Sequence, residues 1–224
     1  MKRLFGREGL FYRLLSRTGD LILLNFLFLL CCLPVVTAGA SLTALYAVTL
    51  KMSRDEESYI AGSFFRAFRE NAGRSTRMWL LLLAAALVIA ADLMLPGLFP
   101  GSVRQVMRLI YTALGLMLLV LAVYAFPEAA YFDNTVRAYL LNAFYLAVRF
   151  FYFTVPMTVL WLIPGLTAYV GGPPSGVLLP FYLIIGFAAT AYLCSFPLGR
   201  VFAYFAKAFP APEDGDHTDG GTCT

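Results

Sequence analysis

Residues 21–50 form a run of apolar and small residues without a single charged side chain. A water-soluble fold cannot cover so long a run, whereas about 20 helical residues cross a hydrocarbon core of about 30 Å. Further apolar runs follow at 78–95, 109–126, 150–170 and 177–196, and Asp92 is the only charge within them. Hydrophobic residues make up 60 % of the chain and charged residues 13 %, against about 25 % charged in soluble domains. The expected fold is therefore all-α, a polytopic bundle of transmembrane helices occupying residues 1–209 as a single domain. Residues 210–224 read as a disordered acidic tail, Gly-rich and without apolar periodicity.

The first run is too long for one crossing. It breaks naturally at Pro34, which removes a helical hydrogen bond, and at Thr37-Ala38-Gly39-Ala40-Ser41, which suits a turn. The expected result is a descending leg at 21–36 and a return leg at about 41–52. That gives six helices, or five plus a re-entrant leg. The basic residues agree: if the run folds back, fifteen of the seventeen Lys and Arg residues share one side and only Arg104 and Arg108 lie on the other. By the positive-inside rule both termini are then cytoplasmic. A basic start, an apolar stretch and Ala38-Gly39-Ala40 also resemble a cleavable signal peptide. Cleavage would, however, leave the six basic residues of 51–77 outside unless the return leg crossed, so an uncleaved chain is expected.

The stretch 53–77 reads as a cytoplasmic loop. Within it Tyr59, Ile60, Phe64, Phe65 and Phe68 recur at helical spacing beside Arg66, Arg69, Glu70 and Arg74, the pattern of an amphipathic interfacial helix. Residues 10–17 and 136–149 look like smaller versions, the latter with Leu140, Phe144 and Ala147 on one face. Gly171 to Gly176 reads as a tight turn.

Candidate chemistry is sparse. Buried ionisable groups are costly in a bilayer and mark function when present. Asp92 with Arg104 and Arg108 makes an interfacial ion pair plausible at one end of the bundle. Asp20, Glu128 and Asp133 fall at or beyond segment ends, where water reaches. Asn25 is the strongly polar residue of the first leg and is placed to hydrogen-bond across helices. The lone histidine, His217, lies in the tail, so neither a Ser-His-Asp triad nor a His metal site assembles. Cys31, Cys32, Cys194 and Cys223 lack metal-site spacing, and no phosphate-binding glycine loop exists. Glu128-Ala129-Ala130 also occurs in the coupling loop of ABC permeases, but Asn134 stands where that pattern has Gly, and three residues assign nothing. The expectation is no catalytic residue, no cofactor, no metal and no nucleic-acid partner. Small-residue runs such as Ala84-Ala85-Ala86 permit close helix packing without setting an oligomeric state.

The segment Gly19 to Tyr46, with Asn25, Leu33-Pro34-Val-Val-Thr37-Ala-Gly39 at its centre, and the continuation Asp55-Glu56-Glu57-Ser-Tyr59-Ile60 resemble the signature of the YesL-like family. These are bacterial integral membrane proteins grouped as domain of unknown function 624. The resemblance is strongest over about residues 10–80. It implies a multi-pass protein of the bacterial plasma membrane, encoded beside carbohydrate ABC transporters, and brings no catalytic residue with it. Asn25, Pro34, Thr37, Gly39, Asp55, Glu56, Glu57 and Tyr59 are its signature positions. Together these readings predict an accessory or regulatory component of carbohydrate uptake, partnered by the bilayer and an ABC transporter. The alternative is a small transporter or substrate-binding unit acting alone.

Overall fold

The computed structural model describes residues 10–56, 59–94, 101–171 and 173–208. The tail and Glu57 lie outside them. The described residues form eight α-helices and no strand. They run α1 (Leu10–Cys32), α2 (Ala38–Met52), α3 (Ile60–Met94), α4 (Gly101–Tyr131), α5 (Val136–Arg149), α6 (Phe151–Val170), α7 (Pro173–Phe181) and α8 (Phe187–Ala208). Six stretches among the described residues are long and apolar enough to cross a membrane: Leu15–Cys32, Val35–Met52, Ile60–Ala91, Val103–Tyr131, Phe151–Val170 and Gly176–Ala206.

The folded-back first run is present. α1 stops at Cys32, Leu33 and Pro34 leave the helix, and a single 3₁₀ turn at Val35–Thr37 leads into α2. The return leg begins at Ala38, earlier than the expected 41, because side-chain hydroxyls take over the carbonyls that α1 leaves unpaired at its end. Thr37 Oγ1 donates to Cys31 O at 2.7 Å and to Pro34 O at 2.9 Å, and Ser41 Oγ donates to Phe28 O at 2.9 Å. A helix end satisfied in this way needs little further loop.

α2 is the axle of the bundle. Of Val35–Met52, 61 % is buried, against 17–33 % of the other five spans. It is packed by α1, α3, α4 and α8. Leu45, Tyr46 and Val48 of α2, Phe64 and Met78 of α3, Tyr124 and Phe126 of α4 and Phe202 of α8 form the sealed core. The outer faces of the other helices expose Leu23, Phe26, Leu30, Leu87, Leu109, Val159 and Leu183, as expected where lipid is the solvent.

Several local expectations are corrected. Residues 59–74 are not a separate interfacial helix, nor is 53–77 a loop: α3 is one helix of 35 residues, about 52 Å long. No proline interrupts 60–94, and a change from charged to apolar composition does not by itself end a helix. Residues 10–17 likewise belong to α1 rather than standing apart. α5 forms at 136–149, but its buried face is Tyr139, Ala143, Leu146 and Ala147, with Phe144 exposed. Gly171, at φ +65°, closes α6, and the expected turn over 171–176 is cut short because Pro173 already opens α7, a first-turn position that its missing N–H suits.

Candidate functional site

Among the described residues, Pro34, Thr37, Gly39, Asp55, Glu56 and Tyr59 fall at or beside the two ends of α2, and Asn25 stands apart on α1. At the first end, α2 lies against α3 so closely that a Cβ on Gly39 would stand 2.3 Å from Trp79 Cβ and 2.7 Å from the backbone oxygen of Ser75. Only glycine fits there. Thr43 Oγ1 hydrogen-bonds Ser75 Oγ at 2.9 Å, with both residues fully buried. Trp79 Nε1 donates to Val35 O at 2.7 Å, so α3 also grips the 3₁₀ turn. Pro34 opens that turn in an extended conformation.

At the other end Asp55 adopts φ +59°, the left-handed conformation that Asp tolerates better than most residues. The reversal lets Glu56 N–H return to Lys51 O at 3.1 Å. Arg17 of α1 ion-pairs with Asp55 and donates to Met52 O at 2.7 Å, closing the C-terminus of α2. Glu56 is exposed, and the Tyr59 ring lies over Gly62, whose absent side chain makes room for it.

Asn25 makes the third arrangement. The last long helical stretch is interrupted by a π turn at Tyr182–Gly186 between α7 and α8. A π turn leaves helical donors and acceptors without their usual partners. Asn25, fully buried on α1, meets them: Nδ2 donates to Leu183 O at 2.8 Å and Tyr182 O at 3.3 Å, while Oδ1 accepts from Ala188 N–H at 3.0 Å. One side chain thus fills the break from across the bundle.

A polar recess of about 400 Å³ lies between α3 and the end of α4, lined by Glu70, Asn71, Arg74 and residues 129–133. Arg74 and Asp133 pair across its mouth at 2.5 Å. Asp133 is water-exposed, as its place beyond a segment end implies. Glu128, in contrast to that reading, is fully buried. α5 folds back over the end of α4, and Asn142 Nδ2 donates to Glu128 Oε1 at 2.7 Å, while Oε2 has no partner. Tyr139 fixes the α4–α5 elbow, donating to Phe132 O and accepting from Asn134 N–H, both at 2.9 Å. Burial pushes its hydroxyl above the usual tyrosine range, so it keeps the donated proton.

Asp92 lies in α3, but its side chain is outside the described residues, and the expected pairing with Arg104 and Arg108 falls with it. Arg104 and Arg108 sit exposed near the start of α4. Sequence reasoning passed over Arg17, Ser75, Trp79 and Asn142. Arg17, Ser75 and Trp79 face signature positions and become visible only once α1, α2 and α3 are packed, and Asn142 only once α5 folds back over the end of α4.

Six apolar crossings around a buried axle define a multi-pass α-helical membrane protein. Residues 21–93 match the family described as Protein of unknown function, DUF624, the same family that the signature positions resemble. The match runs from the buried part of α1 to the last turn of α3 and contains both ends of α2, while Arg17, which closes the C-terminus of α2, lies just before it. No curated protein and no solved structure matches the chain.

Proposed function

We propose that the protein is a non-enzymatic accessory component of carbohydrate uptake in the bacterial plasma membrane, with both termini cytoplasmic and an ABC transporter as its partner. The observation that carries this reading is how the interior polar groups are used. Thr43 pairs with Ser75, Ser195 with Thr49 at 2.9 Å, Trp161 with Tyr46 at 2.8 Å, and Tyr124 with Thr154 at 2.9 Å. These groups bond helix to helix and leave no donor set converging on a substrate. A half-open cavity between the helices, about 230 Å³ between Phe28, Leu42, Tyr46, Trp79, Phe126 and Trp161 among others, is almost wholly apolar, and sugars need polar partners. The polar recess lies instead at helix ends, where a partner protein has access. The family resemblance supplies the carbohydrate context.

The π turn is the feature that favours an autonomous transporter, since broken helices often build substrate sites. Here Asn25 occupies the break. The test is purification of the tagged protein from native membranes, paired with sugar uptake by a deletion strain. The accessory reading expects permease subunits in the eluate and reduced uptake that the wild-type gene restores. A solitary protein with unchanged uptake would overturn it.

A further inference from the structure

Along α3, the residues Arg66, Arg69, Gly73, Arg77, Leu80, Ala84, Leu87 and Ala91 are all exposed. Their spacing of three or four places them on one stripe of the helix. Opposite it, Ile60, Phe64, Ser75, Met78 and Leu82 are buried against the bundle. The stripe changes character once. Up to Arg77 it is basic, and from Leu80 it is apolar. No ion pair holds Arg66, Arg69 or Arg77 among the described residues. Gly73 leaves the helix surface bare beside Arg77, whose Nη2 would stand 3.8 Å from a Cβ placed there. A further recess of about 400 Å³ lies over Phe65, Arg66, Arg69 and Glu70, so its lining carries two arginines against one carboxylate.

We propose that this stripe seats an anionic phospholipid, its phosphate held by Arg77 at the junction and attracted there by the field of Arg69 and Arg66, and an acyl chain lying along Leu80, Ala84, Leu87 and Ala91. The chemistry follows from the order of residues. Guanidinium groups match phosphate by charge and by forked donor geometry. The apolar part runs about 16 Å, which is the depth of one leaflet, and Ala84 between Leu80 and Leu87 leaves a shallow channel for a chain. A purely electrostatic patch would need no apolar continuation on the same stripe, and the positive-inside bias alone would place arginines at the helix end without aligning them on one face with the apolar stripe. The inference does not depend on the carbohydrate reading.

The test uses the purified full-length protein in nanodiscs of phosphatidylcholine with and without phosphatidylglycerol, reading retained lipid by native mass spectrometry. Wild type is expected to retain phosphatidylglycerol selectively. Each arginine near a membrane surface contributes about fivefold, so Arg77→Gln loses about fivefold in selectivity and R66Q/R69Q/R77Q on the order of a hundredfold. Arg108→Gln, at the start of α4, leaves selectivity unchanged. Glycerol phosphate, which lacks the chains, is expected not to compete. Equal retention of both lipids by wild type, a triple variant that keeps the preference, or competition by glycerol phosphate would each overturn the proposal. If the triple variant loses helicity, Arg77→Gln alone decides.

Discussion

Replacing Gly39 by Ala adds a single methyl group at a helix crossing with no room for a Cβ. The new Cβ would fall 2.3 Å from Trp79 Cβ and 2.7 Å from Ser75 O. Neither atom is the free end of a flexible chain, so α2 and α3 must separate. Overpacking of this kind costs about 1–3 kcal/mol. Separation also weakens the buried Thr43–Ser75 bond of 2.9 Å, worth about 1 kcal/mol. Against this, Ala is a better helix former than Gly by about 1 kcal/mol. The net expectation is a loss of about 2 kcal/mol, or about 4–8 °C in Tm for a chain of this size. Thermal unfolding in a mild detergent, followed by circular dichroism, measures it. Gly165→Ala and Gly199→Ala are the controls, since nothing lies within 4 Å of a Cβ at either position, and they should melt at or above wild type. If Gly39→Ala behaves as they do, the close crossing is not what this glycine serves.

Asn25→Leu removes all three hydrogen bonds to the π turn and leaves its carbonyls and Ala188 N–H unpaired, at a cost of about 2–4 kcal/mol. Hydrogen exchange at 182–188 should rise with it, and unchanged protection there would refute the bridging role. Asp55→Gly relieves the left-handed backbone that Asp55→Ala keeps, so Gly should be the more stable of the two variants by about 1 kcal/mol; equal melting would show that the φ value carries no cost. Glu128→Gln preserves the acceptor for Asn142 and should melt within about 1 kcal/mol of wild type. Glu128→Ala strands the Asn142 amide and should be the worse variant, and the reverse order would refute the Glu128–Asn142 clasp.

The folded-back hairpin was legible because Pro34 and the small polar residues after it interrupt a run too long for one crossing. Its break falls three to four residues earlier than expected, at 33–37 instead of 37–40, since the capping by Thr37 and Ser41 depends on two legs already being side by side. Asn25 stood out as polar in an apolar stretch, and its role across helices was foreseeable. Its partner was not: neither Pro180 nor Gly186 marks a π turn, and only the packing of α1 against 182–188 shows the need for an amide there. The continuity of α3 escaped notice because hydropathy separates its charged and apolar halves, while the backbone continues wherever nothing breaks it. Glu128 was misplaced for a similar reason. Its position near a segment end says water, and α5 folding over that end says otherwise.

The central claim is that the signature residues hold α2 folded back against α3. Cysteines at 43 and 75, in a chain whose native cysteines are replaced by alanine, test it directly in membrane vesicles. The hydroxyls of Thr43 and Ser75 are 2.9 Å apart, so mild oxidation should form an intramolecular disulfide rapidly, while a cysteine pair at 43 and 87 should not react. Failure of the 43–75 pair to cross-link, or equal cross-linking by both pairs, would contradict the account.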